Sequence, residues 1–436
     1  MSVKAIIICL LGLGILAAVH EIGHFIAARL LKIKVYELSI FVGPKLFSWK
    51  RKDVEYYIRL IPLGAYVRFS EIDEETGELK DDNPQNLINQ ARWKRLIVSL
   101  AGPFMNVVLG IIIFMICFTS FGFLSRRQGV IVPGTQVADT RIEVGDTIIG
   151  INDRSVLSQL DLSYELDKPA NTDTVKITLR SAKTGEKYDV DLVPTISDQY
   201  MLGITHYSQL DENNGWKISD VDPNQNNGAP VIQKGDSVLT VNGVAVSDEK
   251  ISNVVNDSNG EPIVVTLIRD GQEMSVEMRA IRVKSANYRG IYLEDGEGFW
   301  ECLREAIVFP ISFIRLTFDT LAQVFTGKVD AFEIVTGPVG IASVVSDVVD
   351  APKVENSMKA ETLVLLAGGI STGLAITNML PLPGLDGNAI VLTVVEMIRG
   401  KKLSRKAENV INVIGFGVII GLVIFALVSD IIRLSR

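Results

Sequence analysis

Four stretches of this 436-residue chain, at about 5–31, 96–124, 362–380 and 410–432, are apolar enough and long enough to cross a bilayer. About 20 consecutive apolar residues in a helix span a hydrocarbon core, and each stretch is near or above that length. The remainder is not membrane-like. Although 47% of residues are hydrophobic, 22% are charged and the formal net charge is −8. Such a chain is too apolar to be disordered and too charged to consist of spans alone. Its acidic balance and scattered Lys and Arg exclude a general nucleic-acid binder. Cys9, Cys117 and Cys302 cannot form a disulfide framework, and the two in apolar runs read as small hydrophobes. The first stretch is too long for a signal peptide and lacks a small-residue cleavage site, so it reads as a retained span.

Lys and Arg set the sidedness. The segment between the first two spans carries Lys32, Lys34, Lys45, Lys50, Arg51, Lys52, Arg59, Arg68, Arg92, Lys94 and Arg95. The short connection between the last two carries Arg399, Lys401, Lys402, Arg405 and Lys406. Both connections therefore face the cytoplasm, and both termini and the acidic insert of about 125–361 lie on the other side. The segment 299–325 places Leu303, Ile307, Ile311, Ile314, Phe318 and Leu321 on roughly one helical face. It reads as an interfacial helix, because a fifth span would invert the last two relative to their basic loop.

The insert repeats itself. Gly145-Asp146 followed by an alternating strand and Asn152-Asp153 matches Gly235-Asp236 followed by a strand and Asn242-Gly243, about 90 residues on. Each copy reads as a turn, a strand and a hairpin turn, with further strands at 175–179 and 263–268. This pattern resembles the PDZ domain, which implies peptide capture on a sheet edge; a spacer or steric gate without peptide ligand is the other reading. His206, alone near the start of the second copy, reads as an ordinary surface or core histidine.

The first span holds His20-Glu21-Ile22-Gly23-His24. Residues i and i+4 share one helix face, so both imidazoles can hold one divalent ion with Glu21 close enough to act on its water. Imidazoles and a carboxylate are costly in hydrocarbon unless ligated, paired or facing a cavity; a polar seam between helices is the plainer alternative. A hydrolytic zinc site needs a third protein ligand and an open position. The third span ends in Asn378-Met379-Leu380-Pro381-Leu382-Pro383-Gly384-Leu385-Asp386-Gly387, where two prolines break the helix. Irregular backbone at membrane depth lines a cavity or is buried. Asp386 is the one carboxylate in the break and the candidate third ligand, with a turn or cap role as the alternative.

These two motifs together resemble the paired signatures of site-2 proteases, zinc metalloproteases that cut peptide bonds within membranes. The resemblance covers nearly the whole chain. It implies one Zn²⁺ held by His20, His24 and Asp386, Glu21 as catalytic base, and Asn378, Pro381 and Pro383 shaping the substrate site. Ala101-Gly102-Pro103-Phe104-Met105-Asn106 looks like the family's second-span element, whose small residues allow close helix approach. Gly337-Pro338-Val339-Gly340-Ile341 looks like the family's segment before the third span. Ala65 and Asn388 stand where glycines are frequent in the family. Ile61-Pro62-Leu63-Gly64-Ala65-Tyr66-Val67-Arg68-Phe69 resembles a membrane-reentrant hairpin, with Gly64 and Tyr66 expected at the substrate.

The expected fold is therefore a polytopic α-helical membrane protein, with four transmembrane helices, a membrane-associated β-hairpin and two inserted PDZ-like α/β domains. Its expected parts are 1–124, an N-terminal membrane part; 125–196 and 197–284, the PDZ-like domains; 285–360, interfacial helix and linker; and 361–436, a C-terminal membrane part. The expected activity is intramembrane proteolysis in a bacterial cytoplasmic membrane, PDZ domains outside. The expected partners are the bilayer, single-pass substrates such as anti-sigma factors or signal-peptide remnants, and peptide ligands of the PDZ domains. The rival is a non-catalytic PDZ scaffold or sensor with a vestigial metal site, against which the intact Glu21 argues.

Overall fold

A computed structural model of the chain describes residues 2–72, 79–80, 83–166, 174–193, 195–208, 211, 213–222, 225–248, 250–287, 290–329, 331–334, 337–351, 354–402 and 404–435. The chain divides into two compact units: Met1–Phe121 with Cys302–Val349 and Ala360–Ser435, and Gly122–Glu301 with Asp350–Lys359.

The first unit is built on long helices. Helix α1, Val3–Leu30, starts where Ser2 Oγ accepts from the N–H of Ala5 at 3.2 Å, a side-chain cap on otherwise unpaired donors. Its exposed Ile7, Leu11, Ile15 and Ile26 leave an apolar surface that only lipid or neighbouring helices can cover. Helix α2, Arg92–Phe121, carries Pro103 in its interior. Five helices among the described residues are long and apolar enough to cross a membrane: α1, α2, Phe299–Phe325, Asn356–Asn378 and the 413–431 part of Arg405–Ser435. That set includes 299–325, which the sequence assigns to the interface.

Between α1 and α2 lie β1, Glu37–Arg51, and β2, Val54–Arg68. Residues 37–40 lie between two stretches of β2, with Leu38 opposite both Val67 and Tyr56. The sheet is pinned through Glu37, whose buried carboxylate takes Arg59 at 3.1 Å, Arg68 at 2.9 Å and the Tyr66 hydroxyl at 2.5 Å. Burial alone raises that carboxyl's pKa, but the Tyr66, Arg68 and Arg59 hydrogen bonds outweigh it and hold it below the usual carboxylate range.

The second unit carries the repeat. One sheet contains β3 (Leu124–Gln128), β4 (Thr147–Ile151), β5 (Val175–Arg180) and β6 (Lys187–Leu192). After β7 (Thr195–Met201), a second sheet contains β8 (Ile204–Ser208), β9 (Trp216–Val221), β10 (Ser237–Val241), β11 (Pro262–Arg269) and β12 (Gln272–Arg279). Strand β13 (Ile281–Asn287) pairs with β7, and β14 (Leu293–Asp295) then returns to the first sheet beside β3. The strand orders are β14-β3-β4-β5-β6 and β8-β9-β10-β11-β12.

The second sheet is thus inserted within the first, whose last strand lies beyond the 196 boundary and inside the stretch the sequence assigns to a linker. No local pattern reveals that return, because a three-residue edge strand carries almost no periodicity. His206, on β8, pairs opposite Asp220.

Equivalent residues do equivalent work in the two copies. Gly145 and Gly235 have φ of +88° and +94°, which favours glycine. Asp146 and Asp236, each 1% exposed, accept from the N–H three residues back, of Glu143 at 2.9 Å and Gln233 at 2.7 Å. Each then takes a side chain from a neighbouring strand, the Tyr188 hydroxyl or the Arg269 guanidinium. Asn152 and Asn242 close the hairpins in left-handed conformation and accept from the N–H of Lys176 and Val264.

Candidate metal centre

On α1, the four-residue spacing puts His20 and His24 on one face, both 7% exposed. Opposite them, helix Asn356–Asn378 ends at Asn378 and helix Asp386–Arg399 begins at Asp386. Pro381 and Pro383 supply no N–H between them. Gly384 at φ +90° turns the chain, and Gly387 packs so tightly that a Cβ would lie 2.2 Å from the Leu380 carbonyl oxygen. The break aims Asp386 at the histidines.

Asp386 Oδ2 is 2.9 Å from His20 Nε2 and 3.2 Å from His24 Nε2, and the two nitrogens are 3.1 Å apart. Ligands about 2.0–2.1 Å from a tetrahedral zinc ion stand about 3.3 Å from one another, so the triangle is within a few tenths of an ångström of that size. Asp386 Oδ2 is buried and accepts no hydrogen bond of proper geometry among the described residues. A buried carboxylate oxygen without a partner is costly, whereas a cation between these three atoms satisfies all of them. The site therefore fits zinc by donor type, spacing and the orphaned oxygen. The ligand atoms of His20, Glu21 and His24 lie within 4.8 Å of one another. The backbone of Val67 on β2 faces the Glu21 carboxylate.

Helix α2 supplies the rest. His24 Nδ1 is 2.7 Å from the Val98 carbonyl oxygen. A carbonyl only accepts, so Nδ1 carries the proton and Nε2 of the neutral ring presents its lone pair. Gly102 faces both rings, a Cβ there lying 2.3 Å from His24 Nε2 and 2.7 Å from His20 Cε1. A Cβ on Gly23 would lie 2.4 Å from the Ala101 carbonyl oxygen. The small residues of the second-span element thus permit the close helix approach expected of them. Arg95 binds Glu396, 1% exposed, at 2.8 Å, and Arg92 reaches the Gly400 carbonyl at 2.9 Å. Both contacts hold the helix that begins with Asp386.

Of the other expected site residues, Asn378 closes its helix half-buried, and its side chain makes no hydrogen bond among the described residues. The Tyr66 hydroxyl is engaged by Glu37 and Arg59, which leaves its ring and backbone to meet a substrate. Gly64, at φ +86°, has open space where a side chain would project. The sequence places Gly102 and Asn106 in the second-span element and Val67 in the hairpin but assigns none of them, nor Val98, a contact with the histidines. Val98 acts through a backbone oxygen and Gly102 through lacking a side chain, and the four-residue spacing of 98, 102 and 106 on α2 puts them on a shared face. An apolar cavity of about 720 Å³ adjoins the break, lined by Leu100, Ala101, Phe104, Ile314, Met379 and Leu380 among others.

Comparison with known proteins shows the family. The model of peptidase family M50 matches residues 8–422. Zinc metalloprotease RasP of Geobacillus kaustophilus is 24% identical, over 99% of this chain and 98% of its own length. Zinc metalloprotease RasP of Shouchella clausii is 26% identical, over 97% of each chain. The protein named probable protease eep of Enterococcus faecalis is 26% identical, over 99% of each.

Proposed function

The chain belongs to peptidase family M50, the site-2 protease family of zinc metalloproteases, and on that premise we propose that it cuts single-pass membrane proteins within the bilayer. The observation that carries this reading is the convergence of His20 Nε2, His24 Nε2 and Asp386 Oδ2 within 3.2 Å, with the carboxylate oxygen otherwise unpartnered. These three residues hold the zinc, one ion per chain. Zinc bound there supplies Lewis acidity, activating water at neutral pH and polarising the scissile carbonyl. Glu21 takes the proton from the attacking water and passes it to the departing amine nitrogen.

A peptide bond inside a helix is shielded, its carbonyl already bonded. The substrate must therefore unwind beside Glu21, and the backbone from Gly64 to Val67 offers an edge on which an unwound segment can add as a strand. Asn378, Pro381 and Pro383 shape the opposite wall. The apolar cavity beside the break suits the helical remainder of the substrate. Four of the long helices cross the membrane in this reading and 299–325 lies along its surface, which keeps both basic connections on the cytoplasmic side.

The two repeats of the second unit act as PDZ-like domains outside a bacterial cytoplasmic membrane. Each sheet has a short strand at its edge, Leu293–Asp295 or Ile204–Ser208, suited to adding a peptide. Substrates already shortened on that side, of the anti-sigma factor or signal-peptide remnant type, fit this arrangement. The test is cleavage of a truncated single-pass reporter by wild type and Glu21→Gln, with zinc measured on the same detergent-purified samples. Wild type should cut, and the variant should retain zinc without cutting. A variant that cuts at the wild-type rate removes Glu21 from the mechanism, and a wild type without zinc removes the metal centre.

A further inference from the structure

His24 has its orienting partner in the Val98 carbonyl, and His20 needs an equivalent. Asn106 lies two turns further along α2, fully buried, with its amide nitrogen 3.3 Å from His20 Nδ1. Its other amide atom, Oδ1, is buried without a hydrogen-bond partner among the described residues. An amide nitrogen has only protons to offer. If it faces Nδ1, that atom must accept, and Nε2 of a neutral ring then carries the proton and cannot be a ligand. Half a turn of the terminal amide exchanges oxygen and nitrogen with little change in shape. Either way one end of the amide lacks a protein partner, so the count of hydrogen bonds does not choose between the two; the ring chemistry does.

We propose that Asn106 is a positioning residue whose carboxamide oxygen accepts the Nδ1 proton of His20, aiming the Nε2 lone pair into the metal centre. This rests on His20 being a metal ligand. Helix α2 then treats the two histidines alike. Val98 and Asn106 stand eight residues apart on one face, each oxygen taking one Nδ1–H, and Gly102 between them leaves room for both rings. The backbone at Asn106 is itself anchored, its carbonyl accepting from Ser371 Oγ at 2.8 Å on the helix Asn356–Asn378. The side chain therefore has a fixed origin from which to hold the ring. Metal-binding histidines generally owe their tautomer and orientation to such an acceptor.

The test uses the full-length protein in detergent with zinc alone as probe. Affinity is read by competition with a chromophoric chelator, geometry by the visible spectrum after cobalt substitution, and folding by the melting temperature. Asn106→Leu matches the shape but offers no acceptor, and should bind zinc about 10–100-fold more weakly with an altered cobalt spectrum. Asn106→Ala repeats the loss without risk of overpacking. Asn106→Asp restores an acceptor for Nδ1–H and should recover zinc affinity to within a few-fold of wild type. A packing role predicts the reverse order, with Leu tolerated and the buried carboxylate not. Leu and Ala variants binding zinc as tightly as wild type would overturn the proposal, as would an Asp variant as weak as Leu. A wild type that binds no zinc would instead overturn the ligand reading on which the proposal rests.

Discussion

Gly102→Ala adds one methyl group to α2 at the point where the helix faces both histidines. Its Cβ would stand 2.3 Å from His24 Nε2, 2.6 Å from His24 Cε1 and 2.7 Å from His20 Cε1. Nonbonded heavy atoms rest at about 3.5 Å, so the rings or the helices must yield by roughly 1 Å. Metal ligands tolerate displacements of only about 0.2 Å from their proper distance. The rings cannot retreat freely, because His24 Nδ1 is held on Val98 O at 2.7 Å. Backing α2 away would carry the Val98 carbonyl off His24 and open the packing of Gly23 against Ala101. We therefore expect zinc affinity to fall about a hundredfold or more, equivalent to ~2.7 kcal/mol, and reporter cleavage to be lost. In a helix interior, glycine to alanine by itself favours the helix by about 1 kcal/mol. The variant should consequently keep most of its thermal stability while losing metal, a combination that general unfolding does not produce. Gly12→Ala, where a Cβ meets no atom within 4 Å, is the matched control and should change neither quantity. Titration with zinc against a competing chelator, alongside cleavage of the reporter, checks both. Should Gly102→Ala hold zinc within about threefold of wild type and still cut, the close approach of α2 to the rings is not what positions them.

Two further outcomes follow from contacts outside the ligand set. Val67→Pro removes a backbone N–H on the strand that faces Glu21 and interrupts the sheet edge; cleavage should drop by at least tenfold with zinc content unchanged, and an unaltered rate would exclude that edge from substrate capture. In the second unit, burial raises the Asp146 pKa, but hydrogen bonds from Tyr188, Glu143 and Ala182 outweigh it and hold the carboxyl below its ordinary value. A depressed folded pKa stabilises above the unfolded value of about 3.9 and is lost as pH falls through the folded one. Asp146→Asn should therefore cost about 1–3 kcal/mol at neutral pH, and the gap from wild type should narrow below about pH 4. Melting curves of the detergent-solubilised chain between pH 3 and 7 measure this, and a pH-independent gap would contradict the linkage.

What the sequence makes legible here depends on whether a residue's type or its backbone does the work. His20, Glu21, His24 and Asp386 are visible because ionisable groups are expensive in an apolar run, and the structure brings the two histidines and Asp386 to within 3.2 Å. The Gly-Asp repeat is visible because a left-handed turn closed by a buried carboxylate needs those two residue types in that order. The return of Leu293–Asp295 to the first sheet is not visible, being three residues with no period to read. Helix α2 is the more instructive case. It donates no ligand, yet it supplies Val98 O to His24, the space at Gly102 to both rings, and Arg95 to the Glu396 of the helix that begins with Asp386. Gly102 is legible as one of the small residues of the second-span element, but a backbone oxygen and an ion pair several turns from the chemistry leave no chemical signature in a single sequence. They do leave a geometric one, since 95, 98, 102 and 106 fall at helical spacing on one face. A ligand set found by residue type therefore predicts a neighbouring helix with small and polar residues at three- and four-residue intervals. In this chain that helix, as much as the histidines, determines whether the lone pairs meet at one point.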